Sequence, residues 1–417
     1  MNKACDVAIV GAGPYGLSLA AHLAARGVAF RIFGKPLDTW AAHMPKNMTL
    51  KSEGFASNLS APGSGFTIKA WCDRSGIVYQ DRGLPIGLNT FLRYADDFRK
   101  QFVPGIEDTQ VLSLERTSDG FVLGLETGER VDARSVVLAI GVSWFAYTPA
   151  TLSELPGELV SHSYDYRETD RFKGRNVAIV GTGSSAVDLA HALKQSGASP
   201  HILGRASAIE FHGPPEPGRD RIAYRLQNPP SRIGQGWRSY FCAEAPLLFY
   251  RLPRHLKDRA IASHMHPAGG WFMRSEIEGI VPTTMGVTPV KATPKDGRVA
   301  LTLAHADGRE STQIFDHVIS ATGYRVDLSR VPFLTPGLRK KIALSGRSPF
   351  VSDNFETSVP GLYSIGLPAM EMFGPLLRFM AGAEFVAPRL AAHIARRART
   401  APRTRAAYGH RLLPAGT

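Results

Sequence analysis

Asp6-Val7-Ala8-Ile9-Val10-Gly11-Ala12-Gly13-Pro14-Tyr15-Gly16 decides the fold of this 417-residue chain. Val7 to Val10 are apolar without interruption, the pattern of a strand buried on both faces of a parallel sheet. G-x-G-x-x-G follows, and residues 14–25 predict a helix stopped by Gly27. Gly11 permits the tight turn, Gly13 lets the backbone approach a pyrophosphate, and Gly16 lets helix and strand pack closely. The free N–H groups at the helix start, behind Pro14, then face the phosphates. A second strand expected at residues 29–33 supplies the βαβ context that a glycine turn alone lacks.

The motif occurs twice. Asn176-Val177-Ala178-Ile179-Val180-Gly181-Thr182-Gly183-Ser184-Ser185-Ala186 repeats strand and turn, with alanine at the third position, which the fingerprint tolerates. Two dinucleotide sites on one chain imply two dinucleotides, a flavin on one and a nicotinamide on the other. Each motif is followed by a small meander and then by a strand ending in glycine, at Gly141 and at Gly323. That internal repeat predicts an α/β protein of two Rossmann-like three-layer dinucleotide-binding domains, one inserted in the other. The expected domains are 1–150 for the first part of the FAD domain and 151–324 for the NADPH domain. The remaining residues, 325–417, return to the FAD domain and end in a helix.

The residues just past the second strand of each unit set the nucleotide specificity. In the first unit, Gly34 stands 23 residues after Gly11, where an acid usually holds a ribose, and Lys35 and Asp38 come next. In the second, Arg205 stands 24 residues after Gly181, where an arginine accommodates a 2′-phosphate, which points to NADPH over NADH. Residues 40–52, rich in Trp, Met and Pro, predict an ordered irregular segment lying along the flavin. Residues 211–290, dense in Pro, Gly, Arg and aromatics, read as an insertion and a candidate substrate lid. Residues 247–262 look helical despite Pro253, and a last helix is expected over 375–399, kinked at Pro388.

Composition narrows the classes. The three cysteines are far apart and no C-x-x-C exists, which excludes dithiol redox chemistry and argues against a cysteine-built metal site. The net charge of +13 is scattered, not clustered on one element, so no nucleic-acid partner is expected. The basic end, 396–411, reads as a helix end and a solvated tail. No apolar run is long enough to span a bilayer, and the first strand begins almost at once, so a cytoplasmic protein without a leader or membrane partner is expected. Homo-oligomerisation is left open.

With both nucleotide motifs and Ala321-Thr322-Gly323-Tyr324 in place, the chain resembles the single-component FAD- and NADPH-dependent monooxygenases. These are the flavin-containing monooxygenases, the Baeyer–Villiger enzymes and the amino-acid N-hydroxylases. The resemblance runs from residue 6 to about 392, and Trp40…Met44…Met48 with the Ala-Thr-Gly-Tyr tetrapeptide resembles the N-hydroxylases best. Gly366-Leu367 replaces the Gly-Asp of the disulfide reductases, again as in the monooxygenases. The F-x-G-x-x-x-H-x-x-x-[WF] fingerprint is altered around Gly157, His162 and Tyr166, with one added residue, which disfavours Baeyer–Villiger chemistry.

The resemblance implies FAD held by Gly11, Gly13, Pro14, Gly16, Trp40, Met44, Val111, Gly366 and Pro375. It implies NADPH held by Gly181, Gly183, Ser184, Ser185, Ala186, Arg205 and Tyr324. Lys51, Ser52 and Asn58 are the candidate polar groups at the flavin. The implied reaction takes O2 and NADPH and oxygenates a small molecule at nitrogen, or another heteroatom, through a C4a-hydroperoxyflavin. The alternatives are an NADPH-dependent flavin reductase without oxygen insertion, a Baeyer–Villiger enzyme, and a nucleotide sensor without turnover. The substrate stays open.

Overall fold

The structure, a computed structural model, describes residues 5–63, 65–214, 222–264 and 268–400. The tail expected up to residue 411 lies, beyond residue 400, outside the described residues.

Cys5–Val10 lies between two parallel partners, Phe30–Phe33 and Arg130–Leu138. Val7, Ala8 and Ile9 are fully buried, as an apolar run flanked by strands on both sides requires. The helix Pro14–Ala24 covers one face and ends on Gly27, whose φ of +66° a side chain would resist. Ile106–Glu107 extends the sheet on one side, and Phe121–Leu125 and Val111–Arg116 extend it on the other.

The return strand corrects the expected layout. The sequence separates a meander from a following strand that ends at Gly141; the last meander strand and that strand are one, Arg130–Leu138. Its first half pairs antiparallel with Phe121–Leu125, and its second half runs parallel to Cys5–Val10 and Leu362–Ser364. Burial alternates up to Ala133 and is continuous from Val136, so one strand carries two periodicities and reads as two elements.

The second unit has its own parallel sheet, in the order Thr283–Met285, Ser199–Gly204, Asn176–Val180, His317–Ser320, Val160–His162. The stretch read as an insertion up to about 290 therefore contains an edge strand of this sheet. It also contains the start of Val287–Lys295, the first strand of a three-stranded antiparallel sheet with Arg298–His305 and Glu310–Phe315. Pro289 and Pro294 disguise that strand; it tolerates them because it is an outer strand with a register shift between Pro289 and Lys291.

The repeat extends to single contacts. Gly11 and Gly181 have φ of +112° and +133°. A side chain on Gly11 would collide with the carbonyl of Ala139, and one on Gly181 with the carbonyl of Ala321. Gly11 N–H donates to Phe33 O at 2.8 Å and Gly181 N–H to Leu203 O at 2.9 Å. Both turns are thus built by the same close passage of the first glycine against the end of the return strand.

The insertion is helical, with Ile222–Gln227, Trp237–Glu244, Pro246–Arg251 and Arg254–His264. The helix expected over 247–262 is two helices divided at Pro253, whose ring cannot sit within a continuous hydrogen-bonded run. The terminal helix is also shorter than expected. It is Ala383–Thr400, with Pro388 inside it, and Pro375–Arg378 and Met380–Gly382 are separate single turns. Extended Phe379 makes the break, and the Tyr15 hydroxyl holds it, donating to Leu377 O at 3.0 Å and Phe379 O at 2.7 Å.

Candidate functional site

A cleft of about 2390 Å³ runs between the two glycine turns, under the insertion. Pockets for one small ligand hold roughly 300–1,000 Å³, so this cleft has room for more than one. Gly11, Gly13, Pro14 and Tyr15 form one end of its wall, and Gly181, Gly183, Ser184 and Ser185 another. Gly13 and Gly183 have near-identical backbones, with φ of −83° and −81°.

The three glycines of the first motif divide by role. A side chain on Gly11 or Gly16 would strike backbone, whereas one on Gly13 would meet nothing within 4 Å and would project into the cleft. Gly13 thus leaves an open cradle at a helix N-terminus, which is what a pyrophosphate requires. The residues present fit a dinucleotide at each motif.

Of the other expected residues, Trp40, Met44, Val111, Lys51, Ser52, Arg205 and Tyr324 line the cleft. Gly34, Lys35 and Asp38 line it too, with Lys35 and Asp38 paired at 3.3 Å. Gly16, Ala186, Gly366 and Pro375 stand behind its wall. Ala186 is fully buried, and a side chain on Gly366 would press on the Tyr15 ring at 3.3 Å. Asn58 is a correction. Its Oδ1 accepts from Ile68 N–H at 2.9 Å and its amide donates to Phe55 O at 3.0 Å, so it pins a loop and does not face the cleft. Ser184 also has a structural task, donating from Oγ to Ala268 O at 2.5 Å and tying the insertion to the helix start.

The segment along the cleft is ordered by the second unit. His43 stacks on Tyr164 with ring centroids 4.0 Å apart, and its Nδ1 lies 2.8 Å from Tyr164 O. Arg167 donates to Ala41 O, and Lys46 N–H donates to Arg167 O at 3.1 Å. Further on, Lys51 Nζ lies 2.8 and 2.7 Å from the two carboxylate oxygens of Asp188 and donates to Thr49 O at 2.8 Å. The same ammonium sits 5.4 Å from the Phe272 ring centroid, on the insertion. Burial pushes the Asp188 carboxyl up, and the Lys51 charge opposes that shift.

His162 is not a cleft residue. Its Nδ1 accepts from Tyr164 N–H at 3.0 Å and its Nε2 donates to Gly323 O at 3.1 Å, and burial pushes its pKa down. The histidine of the altered fingerprint therefore braces the turn that carries Tyr324, whose ring lies 5.4 Å from it.

Phe272 belongs to the aromatic-rich insertion expected to cover a substrate, while sequence reasoning missed Asp188, Tyr164, His212 and Arg378, all of which line the cleft. Arg378 lines it, and desolvation lowers its pKa. His212 lines it too, and burial first and the Lys51 charge second push it down. A signal for Asp188 existed: it follows Gly181 by the same interval at which Ser18 follows Gly11.

Cys5, Cys72 and Cys242 are buried and unpaired in any disulfide, and burial pushes the Cys5 thiol up to about 12. Among the described residues no group of three His, Cys, Asp or Glu could hold a metal ion. Nor is any described helix long and apolar enough to cross a membrane.

Two dinucleotide cradles facing one cleft define an oxidoreductase with two nucleotide-binding folds. Residues 8–219 match the family described as pyridine nucleotide-disulphide oxidoreductase, and the chain belongs to that family. It is similar to a ferredoxin–NADP reductase of Ignicoccus hospitalis, 24% identical over 364 residues, covering 87% of this chain and 89% of the relative. Its fold is similar to the ornithine N-hydroxylase of Kutzneria sp., solved with reduced FAD, NADP+ and L-ornithine. The TM-score is 0.74 at 17% identity, covering 95% of this chain and all of that one. The ornithine hydroxylase of Pseudomonas aeruginosa gives a TM-score of 0.72 at 17% identity, covering 94% of this chain and 99% of that one.

Proposed function

We propose that the protein is an FAD- and NADPH-dependent monooxygenase that oxygenates a small molecule at a heteroatom, an amine nitrogen first. The observation that carries this reading is the aromatic lining that the insertion adds to the cleft. Trp271 and Phe272, on the insertion, line the cleft that both cradles face, and the Lys51 ammonium sits 5.4 Å from the Phe272 ring centroid. Oxygen transfer needs a site closed to water, because water drains a reactive oxidant and protonates what should attack it.

FAD supplies hydride acceptance from NADPH and the activation of O2. The chain's own residues bind and orient. Gly13 and the helix start behind it take the flavin nucleotide's pyrophosphate, and Gly183 with Ser184 and Ser185 take that of NADPH. Arg205, exposed on the cleft rim, takes the 2′-phosphate. Trp40, Met44 and Met48 wall the flavin side. An amine attacks only when unprotonated. The aromatic lining disfavours its charged form by desolvation, and the Arg378 cation on the wall works in the same direction. Lys51 offers no free charge here, because Asp188 holds it.

The similarity to the ferredoxin–NADP reductase over most of the chain favours one second reading, an NADPH-dependent flavin reductase that inserts no oxygen. The test is to supply amines, thioethers and ketones with NADPH and O2, count NADPH against product, and look by mass spectrometry for one added oxygen. Amine hydroxylation coupled to NADPH supports the proposal. Peroxide equal to NADPH with every substrate favours the reductase, and ester formation from ketones with inert amines favours Baeyer–Villiger insertion.

A further inference from the structure

The two nucleotide-fold helices, Pro14–Ala24 and Ser184–Gln195, are repeats of one another, and both reach the same connecting segment, residues 49–60. Ser18 and Asp188 occupy equivalent positions, seven residues after Gly11 and Gly181 respectively. Both are buried. Ser18 Oγ accepts from Ser60 N–H at 3.0 Å, and His22, one turn further along the same helix, lies 2.9 Å from Ser60 Oγ. Asp188 accepts from the Lys51 ammonium at 2.8 and 2.7 Å. One helix thus holds the end of the segment and the other its beginning.

Between the two grips, Ser52 donates to or accepts from Ser57 at 2.8 Å, and Leu59 N–H donates to the Tyr94 hydroxyl at 3.0 Å. Leu50, Lys51, Ser52, Glu53, Phe55 and Ala56 form cleft wall. A nucleotide entering the second cradle touches the first turn of Ser184–Gln195, and Asp188 lies one turn along the same rigid helix. A change at that turn is therefore passed by a partly buried ion pair to the wall that residues 50–56 form.

We infer that Asp188 is a positioning residue whose carboxylate clasps Lys51, so that residues 49–60 are held at equivalent points of both nucleotide folds and couple the two cradles. Lys51 then serves as the anchor of this wall and not as a free cation for an anionic ligand. The structural consequence stands on the geometry of the chain itself; the functional one rests on the proposed assignment of FAD and NADPH to the two cradles.

The test is a double-mutant cycle of Lys51→Met and Asp188→Asn on the full chain. It is read by hydrogen exchange over residues 49–60 and by the dissociation constants of FAD and NADP+. A pair whose side chains are 20% and 7% exposed is buried enough that removing either partner strands the other. Each single variant is expected to speed exchange in the segment by about tenfold or more and to weaken FAD binding. The double variant is expected to be no worse than the worse single one. Lys51→Arg, which keeps the pair, is expected to stay near wild type and carries the test if Asp188→Asn does not fold. Exchange left unchanged by Asp188→Asn, or single effects that sum in the double variant, overturns the clasp. Ligand affinity changed by Lys51→Met but left unchanged by Asp188→Asn overturns it as well. Wild-type protein that binds neither nucleotide would defeat the proposed function, while exchange in the ligand-free protein would still decide the clasp.

Discussion

Gly13→Ala separates ligand binding from folding in this protein. The backbone there, at φ −83° and ψ −172°, suits any residue, and the new methyl would meet no protein atom within 4 Å. The ligand-free protein should therefore melt within about 1 kcal/mol of wild type, and slightly higher if the lost glycine freedom dominates. The same methyl would stand where a pyrophosphate must approach the helix start. Two charge-assisted N–H bonds lengthened past usefulness cost roughly 3–6 kcal/mol, or about a hundred- to ten-thousand-fold in dissociation constant. The control is Gly11→Ala, where φ is +112° and the methyl would run into the Ala139 carbonyl. That variant should lose stability before any question of binding arises. The assays are thermal melting of the ligand-free protein and FAD titration followed by flavin fluorescence. A Gly13→Ala protein that binds FAD within about threefold of wild type would refute the cradle assignment.

Arg205→Ala should raise the KM for NADPH about ten- to hundredfold and leave NADH nearly unchanged, because one charge-assisted phosphate contact is worth roughly 1.5–3 kcal/mol. Equal effects on both cofactors in steady-state assays would make Arg205 a bystander. His317 and His22 are buried, and desolvation above all lowers each to about 4. They are neutral in the folded protein and charge on unfolding, so stability should be full above pH 6.5 and fall as pH drops towards about 4. His317 alone should contribute roughly 3 kcal/mol of that loss, and melting temperatures of His317→Gln that track wild type across this range would contradict it. All three thiols are buried, so a thiol reagent should label the native protein only at the rate of unfolding. Rapid labelling of even one would place a cysteine at the surface.

Much of the fold and part of the site were legible in the sequence, and the failures have physical causes. Glycine spacing is a local steric requirement, so both strand-turn-helix units could be read directly, and Arg205 does stand on the cleft at the end of the second unit's strand. Asn58 misled because its polarity suits a flavin neighbour and a loop pin equally well; only the position of Ile68 decides between them. Arg130–Leu138 misled because its burial changes period where one neighbour hands over to another, which is a property of the sheet. Asp188 escaped because the partner that gives it meaning, Lys51, is far off in sequence and lies on the other nucleotide fold.

The shared strand also sets how the two halves can come apart. In the first unit the antiparallel strands and the nucleotide sheet are hydrogen-bonded to opposite ends of Arg130–Leu138, so neither can melt without unzipping a strand that the other needs. In the second unit the antiparallel strands form a sheet of their own, joined to the nucleotide sheet at Gly286, between Thr283–Met285 and Val287–Lys295, and at Asp316, between Glu310–Phe315 and His317–Ser320, and packed on it through one core. The backbone and carboxylate of Asp316 are fixed to Asn176 by hydrogen bonds of 2.8 and 2.7 Å, and Gly286 N–H donates to Ala206 O at 2.8 Å. The first unit is thus tied together by a shared strand and the second by a shared core, so the second unit's antiparallel sheet can loosen only by exposing Val299, Leu301 and Leu303, which are fully buried.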